Sequence, residues 1–307
     1  MSPDGRTVPM APRSPGRRAR LARVAACALL LVGCKRERAA KRELPPEPTT
    51  TSASATAPAA LATGTPPALA DSGPPAPGLT VESAGTITLV RIDPARYTLR
   101  LQNARKDGHP RRAPEWAKEF GLVAVVNASM YQPSGDSVGL MVNGAHVNQA
   151  HDLPKMGGYF AFAPTRAGLP PVAAFGRDCA GFDLARIRAD YGVVFQNYRL
   201  LDCEGRPLAW KEARSFSAAA IGLDKDGMVV FAHSRAPYVM TDFARLVAAP
   251  ELRIAQMFYV EGGPEASLYV QSGGANVRAI GDYETGFFRQ PNEEFWELPN
   301  VVGVAPR

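Results

Sequence analysis

The sequence predicts an α+β fold: mixed, mostly antiparallel sheet with a few packed helices, forming a single domain after a disordered tether. Three observations lead there. Short runs that are continuously apolar, or that alternate apolar with polar, outnumber segments of helical period. Turn signals punctuate those runs, among them Asn143-Gly144 and Lys225-Asp226-Gly227. Strand runs mixed with sparse helices suit an α+β layout.

In chain order, residues 86–92 and 97–102 alternate and read as paired strands joined through Asp93-Pro94. Residues 114–120 suit a short helix, and 122–126 form a continuous apolar run, as in a buried strand. Residues 138–142 and 145–147 flank Asn143-Gly144, a type I′ hairpin signal. Residues 182–191 suit a second helix. Residues 218–223 and 228–232 flank the turn at Lys225-Asp226-Gly227 and read as another hairpin. Thr241 reads as the N-cap of a helix over 242–248, which Pro250 ends. There is no internal repeat.

Composition is that of a globular protein, 46% hydrophobic and 21% charged. The formal net charge of +6 resides in the N-terminal segment. Residues 1–42 hold eleven Lys/Arg against Asp4 and Glu37, whereas residues 79–307 hold 24 Lys/Arg and 24 Asp/Glu. A nucleic-acid binder needs a basic footprint on its folded part, so nucleic acid is excluded as a partner.

The N-terminus reads as an address. Arg13, Arg17, Arg18, Arg20 and Arg23 precede a short apolar stretch over 24–33, too short to span a bilayer core of about 30 Å. It ends Leu31-Val32-Gly33-Cys34, which resembles the lipobox of bacterial lipoproteins, with Cys34 as the lipidated residue. An ordinary signal peptide cleaved nearby is the alternative, and Met10 is a second candidate start. Both readings export the protein. Lipidation would anchor it to a membrane of the bacterial cell envelope, on the periplasmic or the outer surface. Residues 35–78 are rich in Pro, Ala and Thr and read as a semi-stiff spacer. The expected organisation is therefore signal peptide 1–34, linker 35–78 and folded domain 79–307.

Two cysteines, Cys179 and Cys203, remain in the domain. In an oxidising compartment an even pair suggests a disulfide, with two separately buried thiols as the alternative. Neither has metal-site spacing to a histidine.

The most informative stretch is Tyr259-Val260-Glu261-Gly262-Gly263-Pro264-Glu265-Ala266-Ser267. An apolar run stops at a carboxylate, two glycines let the chain turn sharply, and a second carboxylate follows. The plain reading is a tight hairpin turn with two exposed acids. The other is that a carboxylate closing a buried strand has a partner or a task. A second constellation begins where Val125-Val126-Asn127-Ala128-Ser129-Met130-Tyr131 ends a buried strand in a polar corner. Asp136, Gly139-Leu140-Met141-Val142-Asn143-Gly144, Phe195-Gln196-Asn197, Arg214 and Ala220-Ile221-Gly222 follow.

This order of motifs resembles the phosphodiester glycosidase family. The resemblance covers nearly all of 80–305 and implies cleavage between a sugar's anomeric carbon and a phosphodiester oxygen. The family's Asp-Gly-Gly is here Glu261-Gly262-Gly263, and its next small hydroxyl residues are Glu265 and Ala266. Ala218 stands where many members carry arginine, leaving Arg214 as the nearest substitute. A carboxylate moved by one methylene shifts by about an ångström, enough to cost on the order of 10²-fold in rate.

On this resemblance Glu261 is the expected base or nucleophile, and Glu265 a second carboxylate orienting water or hydroxyls. Arg214 and the backbone of Gly262 and Gly263 would hold phosphate. Asn127, Tyr131 and Gln196 would fix sugar hydroxyls, with Asp136 and His233 as further substrate contacts. No cofactor and no dedicated metal site are expected, although two carboxylates four residues apart would also hold a divalent cation. The expected function is an exported lipoprotein hydrolase of glycosyl phosphodiesters from envelope or exopolysaccharide glycans. The alternative is an inactive homologue that binds glycan or phosphate at the envelope.

Asp224-Lys225-Asp226-Gly227 lacks the later ligands of a calcium loop. Asn127-Ala128-Ser129 is a formal glycosylation sequon that ends a buried strand. His146 and His151 read as structural, and Trp116, Trp210 and Trp296 as core or sugar-stacking platforms. No Walker loop, zinc pair or Gly-x-Ser-x-Gly elbow is present.

Overall fold

The chain crosses repeatedly between two antiparallel sheets that pack face to face. The computed structural model describes residues 73–282 and 292–307. The signal segment, Cys34 and most of the spacer therefore lie outside the described residues. The strands are β1 (Leu79–Ala84), β2 (Ile87–Ile92), β3 (Tyr97–Asn103), β4 (Ala124–Asn127), β5 (Met141–Asn143), β6 (His146–Gln149), β7 (Gly157–Pro164) and β8 (Val172–Gly176). They continue as β9 (Tyr191–Arg199), β10 (Phe216–Asp224), β11 (Val229–Tyr238), β12 (Ile254–Gly262), β13 (Ser267–Ser272), β14 (Ala275–Ile280) and β15 (Asn300–Pro306). The α-helices are α1 (Ala104–Asp107), α2 (Ala113–Phe120), α3 (Leu184–Asp190) and α4 (Met240–Val247). None of the described helices is long and apolar enough to cross a membrane.

The larger sheet runs β1-β2-β11-β10-β12-β9-β5-β6, with β7 and β8 continuing from β9. The smaller runs β14-β13-β4-β15-β3. Period-two alternation explains how each strand serves two layers. On β10, Ala219 and Ile221 join Phe231, Phe258, Val126, Leu268 and Val302 in the core between the sheets. Ala218 and Ala220 face the opposite way, against Met240, Phe243 and Val247 of α4. Trp116 of α2 covers the outer side of the smaller sheet with Val125, Tyr269 and Val301. Ile187 of α3 covers β7 and β9.

The expected α+β class is the observed one, and the helices over 114–120 and 182–191 are α2 and α3 within a few residues. Helix α2 is bounded by local chemistry: Glu115 accepts from the Arg112 N–H at 2.9 Å, and Gly121 closes the helix at φ +63°.

Four local expectations are corrected. β2 and β3 do not pair; β2 lies between β1 and β11, while β3 pairs with β15 in the other sheet. Asp93 turns the chain across, accepting from the Ala95 N–H at 2.8 Å. At the first hairpin Asn143 pairs with His146, so Gly144-Ala145 forms the turn, one residue later than expected. Thr241 does not cap α4, since its hydroxyl accepts from the Trp210 N–H at 2.9 Å. The last residues assigned to the spacer, 73–78, lie against the β13–β14 turn, where the Gly274 N–H donates to the Pro74 carbonyl at 2.9 Å. Cys179 and Cys203 are disulfide-bonded, joining the exit of β8 to the exit of β9.

Candidate active site

Two crossovers between the sheets meet at one corner. Strand β12 ends at Glu261-Gly262, and the chain passes through a short 3₁₀ turn at Gly263–Glu265 into β13 of the other sheet. The stretch 259–270 is thus a sheet-to-sheet crossover and not a hairpin, and both its acids are partly buried. Nearby β4 ends at Asn127, from which the chain crosses back toward β5.

Asn127 fastens the two crossovers together. Its Nδ2 donates to the Glu265 carbonyl at 3.0 Å, and its Oδ1 accepts from the Ser267 N–H at 2.7 Å. Ser267 Oγ donates to the same Glu265 carbonyl at 3.0 Å. The fully buried His233, on β11, meets the Ala266 carbonyl through Nε2 at 3.2 Å. Burial holds its pKa down to about 4, so the ring is neutral and donates that hydrogen bond. The Asn127 amide and the Nε2 of His233 are therefore spent on the backbone of the turn that carries Glu265.

Backbone geometry makes both glycines necessary. Gly263 adopts φ +68°, a conformation natural to glycine. Any side chain on Gly262 would collide with the Tyr259 hydroxyl and the Phe216 ring. The β10–β12 register slips so that Ala220 faces Tyr259 and Ala219 faces Glu261, leaving Val260 as an extra residue. Such bulges re-aim side chains at strand ends.

Two carboxyl groups and two phenols influence one another at this corner. Burial pushes the Glu261 carboxyl up to about 8, with the Glu265 charge adding to the rise, although the Gly262 N–H donates to its Oε1 at 3.1 Å. Burial raises Glu265 as well. Burial and then the charges of Glu261 and Glu265 raise Tyr131, which stays a phenol at all physiological pH. Tyr259 is raised for the same reasons, and it also feels Arg214 and Glu212. Glu261, Glu265, Tyr131, Gly262 and Gly263 form the corner itself, with Arg214 at its edge.

Three expected substrate contacts have structural partners. Arg214 pairs with Glu212 at 3.1 Å. Asp136 pairs with Arg105 at 2.7 Å and bonds Ser134, bracing the turn after Tyr131. Gln196 is buried among β7 and β9; its Nε2 donates to Asp152 Oδ1 and the Leu153 carbonyl, and its Oε1 accepts from the Leu140 and Leu153 N–H groups. Arg177, Tyr159 and Asp152 complete that network. Sequence reasoning missed Tyr259 and Phe216 at the corner. The signal for Tyr259 was its place two residues before the carboxylate of an otherwise apolar strand. Among the described residues, the cluster that brings three His/Cys/Asp/Glu ligands together is Asp178, Cys179 and Cys203, two of which are disulfide-bonded.

Residues 120–305, which contain every residue of this corner, match the family model described as phosphodiester glycosidase. The chain belongs to the phosphodiester glycosidase family. No curated protein matches it. Among solved structures it is similar to the catalytic domain of zebrafish N-acetylglucosamine-1-phosphodiester alpha-N-acetylglucosaminidase, auto-inhibited by its pro-peptide. That likeness has a TM-score of 0.51 at 12% identity, covering 75% of this chain and 82% of the zebrafish one. A hypothetical protein from Synechocystis aligns with a TM-score of 0.48 at 13% identity, over 76% of this chain and 64% of its own. At such identities the zebrafish likeness concerns the fold, and the family membership rests on the sequence match. Family membership supports a glycosidase-like function for the domain.

Proposed function

We propose that the corner hydrolyses the anomeric C–O bond of a glycosyl phosphodiester in an envelope or exopolysaccharide glycan. The observation that carries this reading is the convergence of Glu261, Glu265 and Tyr131 on one glycine turn fastened by Asn127. The burial of Glu261 refines its role. A carboxyl that keeps its proton at neutral pH is a poor base, so the less enclosed Glu265 takes the base or nucleophile role. Glu265 receives a proton from water as its oxygen bonds to the anomeric carbon, through an oxocarbenium-like transition state. The phosphate monoester departs as a stable anion without needing protonation. In this reading Tyr131, held as a phenol, donates a hydrogen bond to the sugar, and Arg214 with the backbone of Gly262 and Gly263 receives the phosphate.

The expected test is hydrolysis of a panel of sugar-1-phosphodiesters. Glu265→Gln should lower kcat/KM by at least ~10²-fold with the fold intact by circular dichroism. Undiminished hydrolysis would remove Glu265 from the reaction. Saturable glycan binding without turnover by the wild type would favour the non-catalytic alternative.

The enzyme would act as an exported lipoprotein, tethered through Cys34 and the spacer after it. Cys34→Ser should move the protein from the membrane to the soluble envelope fraction. A variant still sedimenting with membranes would defeat the lipid-anchor reading.

A further inference from the structure

The corner holds more acid than a phosphate-leaving reaction uses. Glu261 and Glu265 have no ion-pair partner among the described residues. The two arginines near this end are already matched by carboxylates. Arg214, before β10, pairs with Glu212, and Arg235, on β11, pairs with Asp282 at 3.2 Å. His233, on the same strand as Arg235, is neutral. The phenols of Tyr131 and Tyr259 are raised by burial first and by Glu261 and Glu265 second, so both keep their protons. Among the described residues the corner thus carries two carboxyl groups without a cation of their own, one of them a neutral acid, and so offers a proton donor that a phosphate leaving group does not use.

The same geometry supplies a proton. Glu261 Oε1 accepts from the Gly262 N–H, so the proton of the neutral acid falls on Oε2. Glu265 folds back over the adjacent glycine, its Oε2 lying 3.4 Å from where a Gly263 side chain would begin. A proton donor and an ionisable acceptor thus sit on one turn, in unequal surroundings, which is the arrangement that separates an acid from a base. Phosphate needs no such donor, whereas an alcohol leaves as an alkoxide unless its oxygen is protonated.

We propose that this corner also hydrolyses uncharged O-glycosides, Glu261 giving its proton to the leaving glycosidic oxygen while Glu265 takes one from the attacking water. The anomeric C–O bond to the alcohol breaks as the bond to the water oxygen forms. The products are a free hemiacetal sugar and a neutral alcohol. Glu261 is left ionised and Glu265 protonated, and exchange with solvent restores the starting state. The proposal rests on the glycosidase reading above, and it adds a substrate class: sugars joined to a hydroxyl, as in a glycan chain, beside those joined to phosphate.

The test uses the full chain, with Glu261→Gln beside the wild type. The probes are methyl glycosides, 4-nitrophenyl glycosides and methyl phosphodiesters of the same sugar, in both anomers. The expected result is hydrolysis of the methyl glycosides, reduced ~10²–10⁴-fold by Glu261→Gln, with a smaller loss on 4-nitrophenyl glycosides and phosphodiesters, whose leaving groups need less protonation. Methyl glycoside turnover should fall with rising pH around 8 in the wild type, as Glu261 loses its proton. The activity that the variant retains toward the better leaving groups shows that it has folded. Phosphodiester hydrolysis without any O-glycoside hydrolysis would overturn this inference and leave the earlier reading standing. An equal loss on all three classes would overturn Glu261 as the proton donor. No hydrolysis of any probe would overturn both readings.

Discussion

A glutamate at the end of a buried strand carries a free-energy cost that depends on pH. Glu261 titrates near pH 4.5 when exposed and near about 8 in the folded protein, because enclosure disfavours its charge. Below the lower value it is protonated in both states and costs nothing. Between the two values the unfolded chain ionises first, so its contribution to stability falls as pH rises and is constant above about 8. Glutamine has nearly the same shape and no charge. Glu261→Gln should therefore gain stability relative to wild type as pH is raised from about 5 to about 8, read as a widening gap between urea midpoints. A gap that does not change with pH would mean that Glu261 is solvated in solution. A residue kept at such a cost is the kind found where chemistry is done.

At the scale of elements, local chemistry was legible where it was self-contained. The hairpin around Gly227 could be read because Asp224 closes it alone, its Oδ1 accepting from the N–H groups of Asp226 and Met228. Helix α2 carries its own start and stop in Glu115 and Gly121. Pairing between distant segments was not legible. β2 and β3 have the alternation of partners, yet a strand's periodicity fixes which face is buried and not which sheet it joins. The same gap hid the nature of the Glu261–Glu265 turn, since a hairpin and a crossover share glycine signals. Asn127 and Gln196 stood out as polar residues in apolar strands, but their hydrogen-bond partners lie far away in sequence, so their bracing role could not be read.

The disulfide is an element-scale constraint that can be tested. Cys179 and Cys203 close a loop of 24 residues around α3 and β9. In the chain-entropy model such a loop is worth roughly 3 kcal/mol. Reduction, or a Cys179→Ala/Cys203→Ala pair, should lower Tm by roughly 6–12 °C for a domain of this size. An unchanged Tm would show that the packing of α3 already holds the loop closed.

For the whole molecule, the candidate site is where the two sheets are fastened, so the proposed hydrolysis and global stability share a residue. The Asn127 amide meets the Glu265 carbonyl and the Ser267 N–H, and beside it the Asn197 Nδ2 donates to the Ala128 carbonyl at 2.9 Å, binding the smaller sheet's exit to β9 of the larger. The common core of Phe231, Phe258, Leu268 and Val302 means that neither sheet can bury its inner face alone. Unfolding should therefore be a single transition. Asn127→Ala leaves the buried Ser267 N–H without its acceptor, at about 1–3 kcal/mol before relaxation, and leaves the Glu265 carbonyl held by the Ser267 hydroxyl. The urea midpoint should fall, the slope should match wild type, and fluorescence and circular dichroism should report one coincident transition. A reduced slope or two separated transitions would mean that the sheets unfold independently. Because the same amide sets where Glu265 stands, hydrolysis at a temperature where the variant is still folded should fall by ~10²-fold, the consequence of an ångström's displacement at a reacting group.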